Sequence, residues 1–248
     1  MATAHVVDAS LPTPFVELGD DVARRFGRHP IKAAATVAAA GYAVMLSVMV
    51  AVGLLLTHVI AHSSLGAWDL DATRWLSHHR TGAVNAVTEI LSRSADTLGI
   101  IGLTLVVTLV LGRARRWTDV ALVVGGLGLE LATFLLVNLI VDRPRPAVVK
   151  LGSVPTTSSY PSGHTAAAVV LYGSVALFVC ASTRGRWLHW LAIAAAVVLP
   201  IAVATARVYR GMHHPFDVLC GALMGLMALA VACAAVGAYE RSRQQDQL

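Results

Sequence analysis

The segment VALVVGGLGLELATFLLVNLIVDRPRP, residues 120–146, determines the fold class of this chain. Its apolar run, Val120–Val141, contains one acid, Glu130, and is followed by a basic motif with two prolines. The hydrocarbon core of a bilayer is about 30 Å thick and a helix rises about 1.5 Å per residue, so one crossing needs about 20 apolar residues. The run has that length. We therefore predict a transmembrane helix that Pro144 and Pro146 end at the membrane boundary.

Similar apolar stretches lie on both sides of this segment. The chain is 56% hydrophobic and 13% charged, with a mean hydropathy of +0.69, whereas soluble domains are about one quarter charged. We predict an all-α polytopic membrane protein with about six transmembrane helices. Its predicted domains are a cytoplasmic or interfacial N-terminal segment (1–30), a membrane domain (31–239) and a cytoplasmic tail (240–248). The other predicted spans are Ile31–His62, Val84–Leu111, Thr165–Ala181, Leu188–Ala206 and Phe216–Tyr239.

Two further segments have the pattern of helices that lie on the membrane surface. Thr13-Pro14 is typical of a helix start, and an apolar stripe follows it, which predicts an interfacial N-terminal helix. Tryptophans alternate with charged residues in 67–80, which predicts an amphipathic helix on the outer surface. The first thirty residues lack an early apolar run, so we expect the first span, and not a cleaved signal peptide, to direct membrane insertion. The N-terminal stripe is Phe15, Leu18, Val22 and Phe26, and the outer segment includes Trp68, Leu70, Trp75 and Leu76 with Asp69, Asp71, Arg74 and Arg80.

The distribution of basic residues predicts the orientation in the membrane. Lys and Arg near span ends favour the cytoplasmic side. This rule places both termini in the cytoplasm and places 67–80, 142–164 and 207–215 outside. The membrane is predicted to be the plasma or inner membrane. The net charge of +5 is spread between spans and not along one face, so no nucleic-acid partner is predicted. The basic residues assigned to the cytoplasm are Arg24, Arg25, Arg28, Lys32, Arg113, Arg115, Arg116, Arg184, Arg186, Arg241 and Arg243, and those outside are Arg143, Arg145, Lys150, Arg207 and Arg210.

The outer arginines suggest a task other than orientation. Arg143 and Arg145 follow the third span, and the planar guanidinium group suits the oxygens of a phosphate. The alternative is a pair of arginines that extend to lipid headgroups at a helix end.

The second polar cluster, Tyr160-Pro161-Ser162-Gly163-His164, stands where the fourth span begins. Backbone N–H groups and the positive end of the helix dipole can face an anion there, and glycine lets the backbone approach it closely. An ordinary serine-capped helix with an incidental histidine is the alternative.

The third cluster lies between the last two spans and holds Arg207, His213 and Asp217. His213 and Asp217 are four residues apart, so the carboxylate could bind one imidazole nitrogen and leave the other free as a nucleophile. The alternative is a helix-capping aspartate beside an unrelated histidine. All three clusters fall at the predicted outer ends of spans three to six, which favours a common site.

Together these residues resemble the type 2 phosphatidic acid phosphatase superfamily, whose signature combines Lys…Arg-Pro, Pro-Ser-Gly-His and Ser-Arg…His…Asp. The resemblance implies catalytic roles for three residues: His213 attacks phosphorus, Asp217 orients it and His164 protonates the leaving oxygen. It also implies that the phosphoryl oxygens are held by Arg145, Ser162, Gly163 and Arg207, and that no cofactor or metal is required. The chain has no dense carboxylate cluster, and His58 and His62 share a helical face without a third ligand.

The implied function is hydrolysis of a membrane lipid phosphate or diphosphate, such as polyprenyl diphosphate, phosphatidylglycerophosphate or phosphatidate, through a phosphohistidine. A lipid-linked phosphotransferase and a noncatalytic lipid-phosphate binder or transporter are the alternatives. Asn138 stands where the family has lysine, and Ala206 replaces the serine of the third motif. Glu130 lies in mid-span, where a charge costs several kcal/mol unless it is paired or protonated, and is predicted to face the bundle interior as a relay or as a hydrogen-bond donor.

Overall fold

The computed structural model describes residues 21, 22, 25, 29–154 and 156–245, and all their regular secondary structure is helical. Within residues 29–154 and 156–245, eight α-helices follow one another, with a short 3₁₀ turn at Ile60–His62 after the first. In chain order they are α1 (Pro30–His58), α2 (Ser64–His78), α3 (Gly82–Ser94), α4 (Thr97–Arg113), α5 (Trp117–Ile140), α6 (Gly163–Ser182), α7 (Arg186–Tyr209) and α8 (Pro215–Gln245).

Five of these helices, α1, α5, α6, α7 and α8, are long and apolar enough to cross a membrane, and α3 with α4 can form a sixth span. The outer surface of the bundle is apolar, since Leu98 and Leu139 are 80% and 82% exposed. Such a surface requires lipid around it. The prediction of an all-α polytopic membrane fold is confirmed. The predicted interfacial stripe lies mostly outside the described residues; Val22, which is described, is helical and packs against Ala33, Val37, Ala234 and Ala238.

The second span differs from the prediction of one continuous helix over Val84–Leu111. The helix stops at Ser94, and α4 begins at Thr97 with its axis turned by 55°. Asp96 causes the restart because its carboxylate accepts a hydrogen bond from the Gly99 N–H at 2.9 Å. This is an N-cap, which favours a new helix over continuation of the old one.

Helix α8 is the centre of the bundle and packs against α1, α5 and α6. It approaches α6 very closely, because a Cβ atom at Gly221 would lie 2.4 Å from the Ser162 carbonyl oxygen and one at Gly225 would lie 2.6 Å from the Ala166 carbonyl oxygen. Small residues permit such backbone contact in membranes. The first turns of α6 and α8 are therefore held together. Glu130 is 4% exposed, as predicted for a side chain that faces the bundle interior.

The starts of α6 and α8 and the ends of α5 and α7 meet at one end of the bundle. There the Ser162 N–H donates to the Asp217 carbonyl oxygen at 3.0 Å, and the segment after α5 pairs with the segment before α6 through the Ser159 N–H and the Arg143 carbonyl oxygen at 2.9 Å. At the opposite end, Arg116 before α5 donates to the Ser182 hydroxyl at the end of α6. The three polar motifs thus share one end, as their placement at span ends predicted.

Candidate active site

His213 lies in the turn between α7 and α8, with 3% of its surface exposed. Its Nδ1 is 2.7 Å from the Ser159 carbonyl oxygen. A carbonyl oxygen only accepts hydrogen bonds, so Nδ1 carries the proton and Nε2 keeps its lone pair. Burial lowers the pKa of His213 well below its usual value, and the positive charges of Arg207 and Arg145 lower it further. At neutral pH His213 is an uncharged imidazole with Nε2 available as a nucleophile.

Asp217 does not bind His213 directly, which differs from the sequence-based expectation. The Asp217 Oδ2–His213 Nδ1 distance is 4.0 Å, too long for a hydrogen bond. Oδ2 instead accepts from the Ser159 hydroxyl at 2.5 Å and from the His214 backbone N–H at 2.8 Å. The bond to the N–H preceding α8 caps that helix. Asp217 therefore reaches His213 through Ser159, and it also performs the capping role that was considered as the alternative.

Arg143 is a structural cation between two carboxylates. Its guanidinium group donates to Asp217 Oδ1 and, at 2.7 Å, to Asp69 Oδ2. Arg143 is 4% exposed and both acids are fully buried. Although burial opposes the charge, the two carboxylates raise the pKa of Arg143 above its usual value. Both ends of the Arg143 guanidinium group are thus already paired with carboxylates.

Arg145 is bound only by neutral oxygens. Its guanidinium group donates to the carbonyl oxygens of Met212, at 2.6 Å, and Ser158, at 3.1 Å, and to both oxygens of Thr157, at 3.2 Å. No carboxylate pairs with it in the described part of the chain. Burial lowers the pKa of Arg145, but a guanidinium group stays protonated. Its positive charge is therefore fixed beside the backbone of Met212-His213 without a neutralising partner.

Arg207 lies at the end of α7 and is 6% exposed. One of its terminal nitrogens donates to the Ser92 hydroxyl at 2.8 Å, whereas its buried Nε has no partner among the residues that the structure describes. A buried unsatisfied donor is costly unless a ligand or water completes it. Arg207 and Arg145 both act electrostatically on His213 and on His164. The structure therefore brings these two arginines and two histidines together.

The start of α6 supplies the remaining predicted residues. Ser162 is the N-cap position and is fully buried, with its hydroxyl 3.0 Å from the Thr165 hydroxyl. Gly163 is the first helical residue, and a Cβ atom there would lie 3.1 Å from the Phe134 ring. His164 follows in the first turn, half-buried. The first N–H groups of a helix have no partner within the helix, so this turn offers free donors beside the two arginines.

The two departures from the family signature differ in their surroundings. Asn138 turns back along α5 and donates to the Phe134 carbonyl oxygen at 2.9 Å, while its buried Oδ1 has no partner among the described residues. Ala206 is fully buried. Within 29–154 and 156–245, no three His, Cys, Asp or Glu side chains converge to hold a metal ion.

Sequence reasoning missed three residues of this region: Asp69, Ser92 and Ser159. Each had a detectable signal. Asp69 is an acid beside Trp68 on a surface helix, Ser92 belongs to the polar stretch 92–96 that interrupts an apolar span, and Ser159 directly precedes the second motif. None could be linked to its partner, because the partners are 54 to 147 residues away along the chain.

Comparison with known proteins identifies the family. The model of the PAP2 superfamily matches residues 119–241, which include all three motifs. The chain belongs to the PAP2 superfamily. Among curated relatives of this chain, an undecaprenyl-diphosphatase of Sulfolobus acidocaldarius is 38% identical over 92 residues, or 36% of this chain and 40% of that protein. The bacitracin transport permease protein BcrC of Bacillus licheniformis is 32% identical over 83 residues, or 34% of this chain and 36% of that protein.

Two solved structures share the fold of this PAP2 chain. A transmembrane PAP2-type phosphatidylglycerolphosphate phosphatase from Bacillus subtilis superposes with a TM-score of 0.63 at 20% identity, over 77% of this chain and 92% of that one. LpxE from Aquifex aeolicus gives 0.53 at 19% identity, over 66% of this chain and 93% of that one. The similarity to these structures therefore extends beyond the matched motifs to most of the helical bundle.

Proposed function

We propose that this chain is a membrane lipid phosphatase that forms a phosphohistidine on His213. The observation that supports it most strongly is the bond from His213 Nδ1 to the Ser159 carbonyl oxygen, because it leaves Nε2 as the only nucleophilic nitrogen. Arg145 and Arg207 stand beside it without a carboxylate partner in the described residues. A neutral nucleophile among uncompensated cations suits an electrophile that carries negative charge.

In the first step, Nε2 of His213 attacks the terminal phosphorus as the bond from that phosphorus to the leaving oxygen breaks. The leaving oxygen belongs to the lipid monophosphate when the substrate is a diphosphate, and to the lipid alcohol when it is a monoester. His164 gives its proton to the departing oxygen, and the negative charge of a bound phosphate favours the protonated form of His164 beforehand. Arg145, Arg207, the Ser162 hydroxyl and the Gly163 N–H bind the nonbridging oxygens, on which charge develops.

In the second step, water attacks phosphorus and the P–N bond breaks, which releases inorganic phosphate. His164, now neutral, accepts a proton from that water. Asp217 stabilises the positive phosphohistidine through its charge and holds Ser159 in place.

The substrate we propose first is a polyprenyl diphosphate. The curated relative from Sulfolobus acidocaldarius is named for undecaprenyl diphosphate, and the site has two unpaired arginines with a third, Arg210, nearby. Arg210 is 8% exposed, and the only hydrogen bond of its side chain in the described residues is a long one, 3.4 Å to the Asn85 carbonyl oxygen. A diphosphate brings more negative charge than a monoester and matches this excess of cations better. Phosphatidylglycerophosphate and phosphatidate remain the comparison substrates.

The active site is proposed to face the extracytoplasmic side, with both termini in the cytoplasm. The support is the positive-inside rule, since the loops at the opposite end of the bundle carry Arg113, Arg115, Arg116, Arg184 and Arg186. A site at the end of a membrane bundle keeps the lipid tail in the bilayer while the phosphate stays in the aqueous layer.

The test is phosphate release by the purified protein in detergent with EDTA, comparing wild type, His213→Ala and His78→Ala. His78 is an exposed histidine on α2, so its variant is the matched control. We expect turnover, highest with the polyprenyl diphosphate, to fall by at least about 1000-fold in His213→Ala and to persist in His78→Ala.

Three outcomes would count against the proposal. Activity retained by His213→Ala would exclude His213 as the nucleophile. Transfer of phosphate to an added alcohol in preference to water would favour a phosphotransferase. Binding of the substrates by folded wild type without His213-dependent turnover would favour a noncatalytic binder or transporter.

A further inference from the structure

The outer amphipathic helix α2 is docked on the bundle by a polar face. Its two fully buried side chains are Asp69 and Thr73, while Trp68 and Trp75 are 54% and 59% exposed. A surface helix that only covers the protein would bury its apolar side and expose its acids. Burying a carboxylate is costly without compensation, so the contact of Asp69 with the bundle has a specific partner.

Asp69 has two partners, and both belong to the region of the proposed nucleophile. One carboxylate oxygen accepts from Arg143 at 2.7 Å, and the other accepts from the Phe216 backbone N–H, at the start of α8, at 2.9 Å. Trp68 packs on the Phe216 ring with centroids 5.8 Å apart. The helix thus clamps the first turn of α8, directly after His213-His214.

From Asp69 a continuous chain of bonds leads to the imidazole. Arg143 joins Asp69 to Asp217, Asp217 accepts from the Ser159 hydroxyl, and the Ser159 carbonyl oxygen accepts from His213 Nδ1. The five residues joined by these bonds, from Asp69 to His213, are each at most 4% exposed. Without Asp69, Arg143 keeps one of its two carboxylates and the α8 N–H loses its acceptor.

We propose that Asp69 is a positioning residue for His213: by holding Arg143 and the first turn of α8, it fixes Asp217 and Ser159 and thereby the direction of Nε2. Asp69 does not touch the substrate. The inference rests on the function proposed above and adds that the outer helix is part of the catalytic framework.

The discriminating variant is Asp69→Asn, with Asp71→Asn as its matched control. An amide still accepts from the Phe216 N–H but turns a donor toward Arg143, so only the bond to Arg143 is lost. Asp71 is on the same helix, exposed, and paired with Arg74 at 3.2 Å. We expect kcat of Asp69→Asn to fall about 100-fold, since misplacing a reacting group has this effect, with KM changed by less than about threefold. Asp71→Asn keeps wild-type kinetics.

Two inhibitors separate positioning from general loosening of the site. Orthovanadate adds to the nucleophile as a five-coordinate mimic of the transition state, whereas inorganic phosphate binds without forming that bond. Asp69→Asn is expected to weaken vanadate inhibition in proportion to kcat and to leave phosphate inhibition unchanged. A parallel loss of both would mean that the anion site itself has collapsed and would overturn the inference.

A double variant keeps the test valid if Asp69→Asn alone does not fold. Asp69→Asn with Arg143→Gln removes the contact between an amide donor and a guanidinium donor that Asp69→Asn alone creates, and its kcat is expected to equal that of Arg143→Gln alone because both act through one chain of bonds. If kcat of the double variant instead fell by the product of the two single-variant losses, that result would contradict the inference. Wild-type turnover with unchanged kcat in Asp69→Asn would overturn this inference alone, whereas no His213-dependent turnover in wild type would overturn the proposed function.

Discussion

Ser159 contributes two separate groups to the surroundings of His213. Its hydroxyl donates to Asp217 and its carbonyl oxygen accepts from the imidazole Nδ1. The spacing of His213 and Asp217 predicted that they would meet, and they do lie in one buried region. It could not predict that Ser159 would stand between them, because only the fold brings a residue 54 positions away into contact.

The lowered pKa of His213 leads to a prediction for the pH dependence. A group whose pKa lies below its usual value near 6.5 stays neutral down to that lower pH. We therefore expect the midpoint of the acid limb of kcat/KM for phosphate release to lie below pH 6.5. Because the cation of Arg145 lowers this pKa, Arg145→Gln should move the limb to higher pH. If the acid limb instead reports ionisation of the substrate, it will lie at the same pH in wild type and Arg145→Gln. That result would show that the limb does not report the ionisation of His213.

Helices α6 and α8 begin within the second and third motifs, and their separation sets the geometry of the site. Gly221 lies against the backbone of Ser162, so the two helix starts are in contact and not merely near each other. Helix existence was predictable here from apolar length alone. Apolar length does not predict the break between α3 and α4, because the break depends on the capping bond from the Gly99 N–H to the Asp96 carboxylate.

Gly221→Ala tests this helix contact. The added methyl group would lie 2.4 Å from a backbone oxygen, which must move away, so we expect a loss of stability of about 1–3 kcal/mol together with reduced phosphate release. Gly102→Ala in α4 is the control, since a Cβ atom there meets nothing within 4 Å among the described residues. Thermal unfolding in detergent measures both variants. An unfolding temperature of Gly221→Ala equal to that of wild type would contradict the close contact.

For the whole molecule, the three motifs lie at one end of the bundle, and Arg113, Arg115, Arg116, Arg184 and Arg186 lie at the other. The sequence predicted this polarity because each motif stands at a span end and the spans alternate in direction. It did not predict that α2 would be tied to the bundle, since an amphipathic pattern indicates a surface position without indicating which buried groups a helix meets. Asp69 inside the contact is visible only once the helices are assembled.

Single cysteines test the orientation in intact cells. In a background with Cys180, Cys220 and Cys233 changed to alanine, Val149→Cys is in the loop before α6 and Ala114→Cys is in the loop between α4 and α5, both at exposed positions. A membrane-impermeant maleimide should label Val149→Cys and spare Ala114→Cys until the cells are lysed. The reverse pattern would place the site in the cytoplasm.

The role of the Ser159 carbonyl oxygen cannot be tested by replacing the side chain at position 159. It decides which nitrogen of His213 is free, yet it belongs to the main chain, and every amino acid carries the same oxygen. A saturation screen at position 159 therefore tests only the hydroxyl group. The backbone conformation at Ser159 therefore fixes the tautomer of His213, and sequences that differ at position 159 can preserve this tautomer equally well.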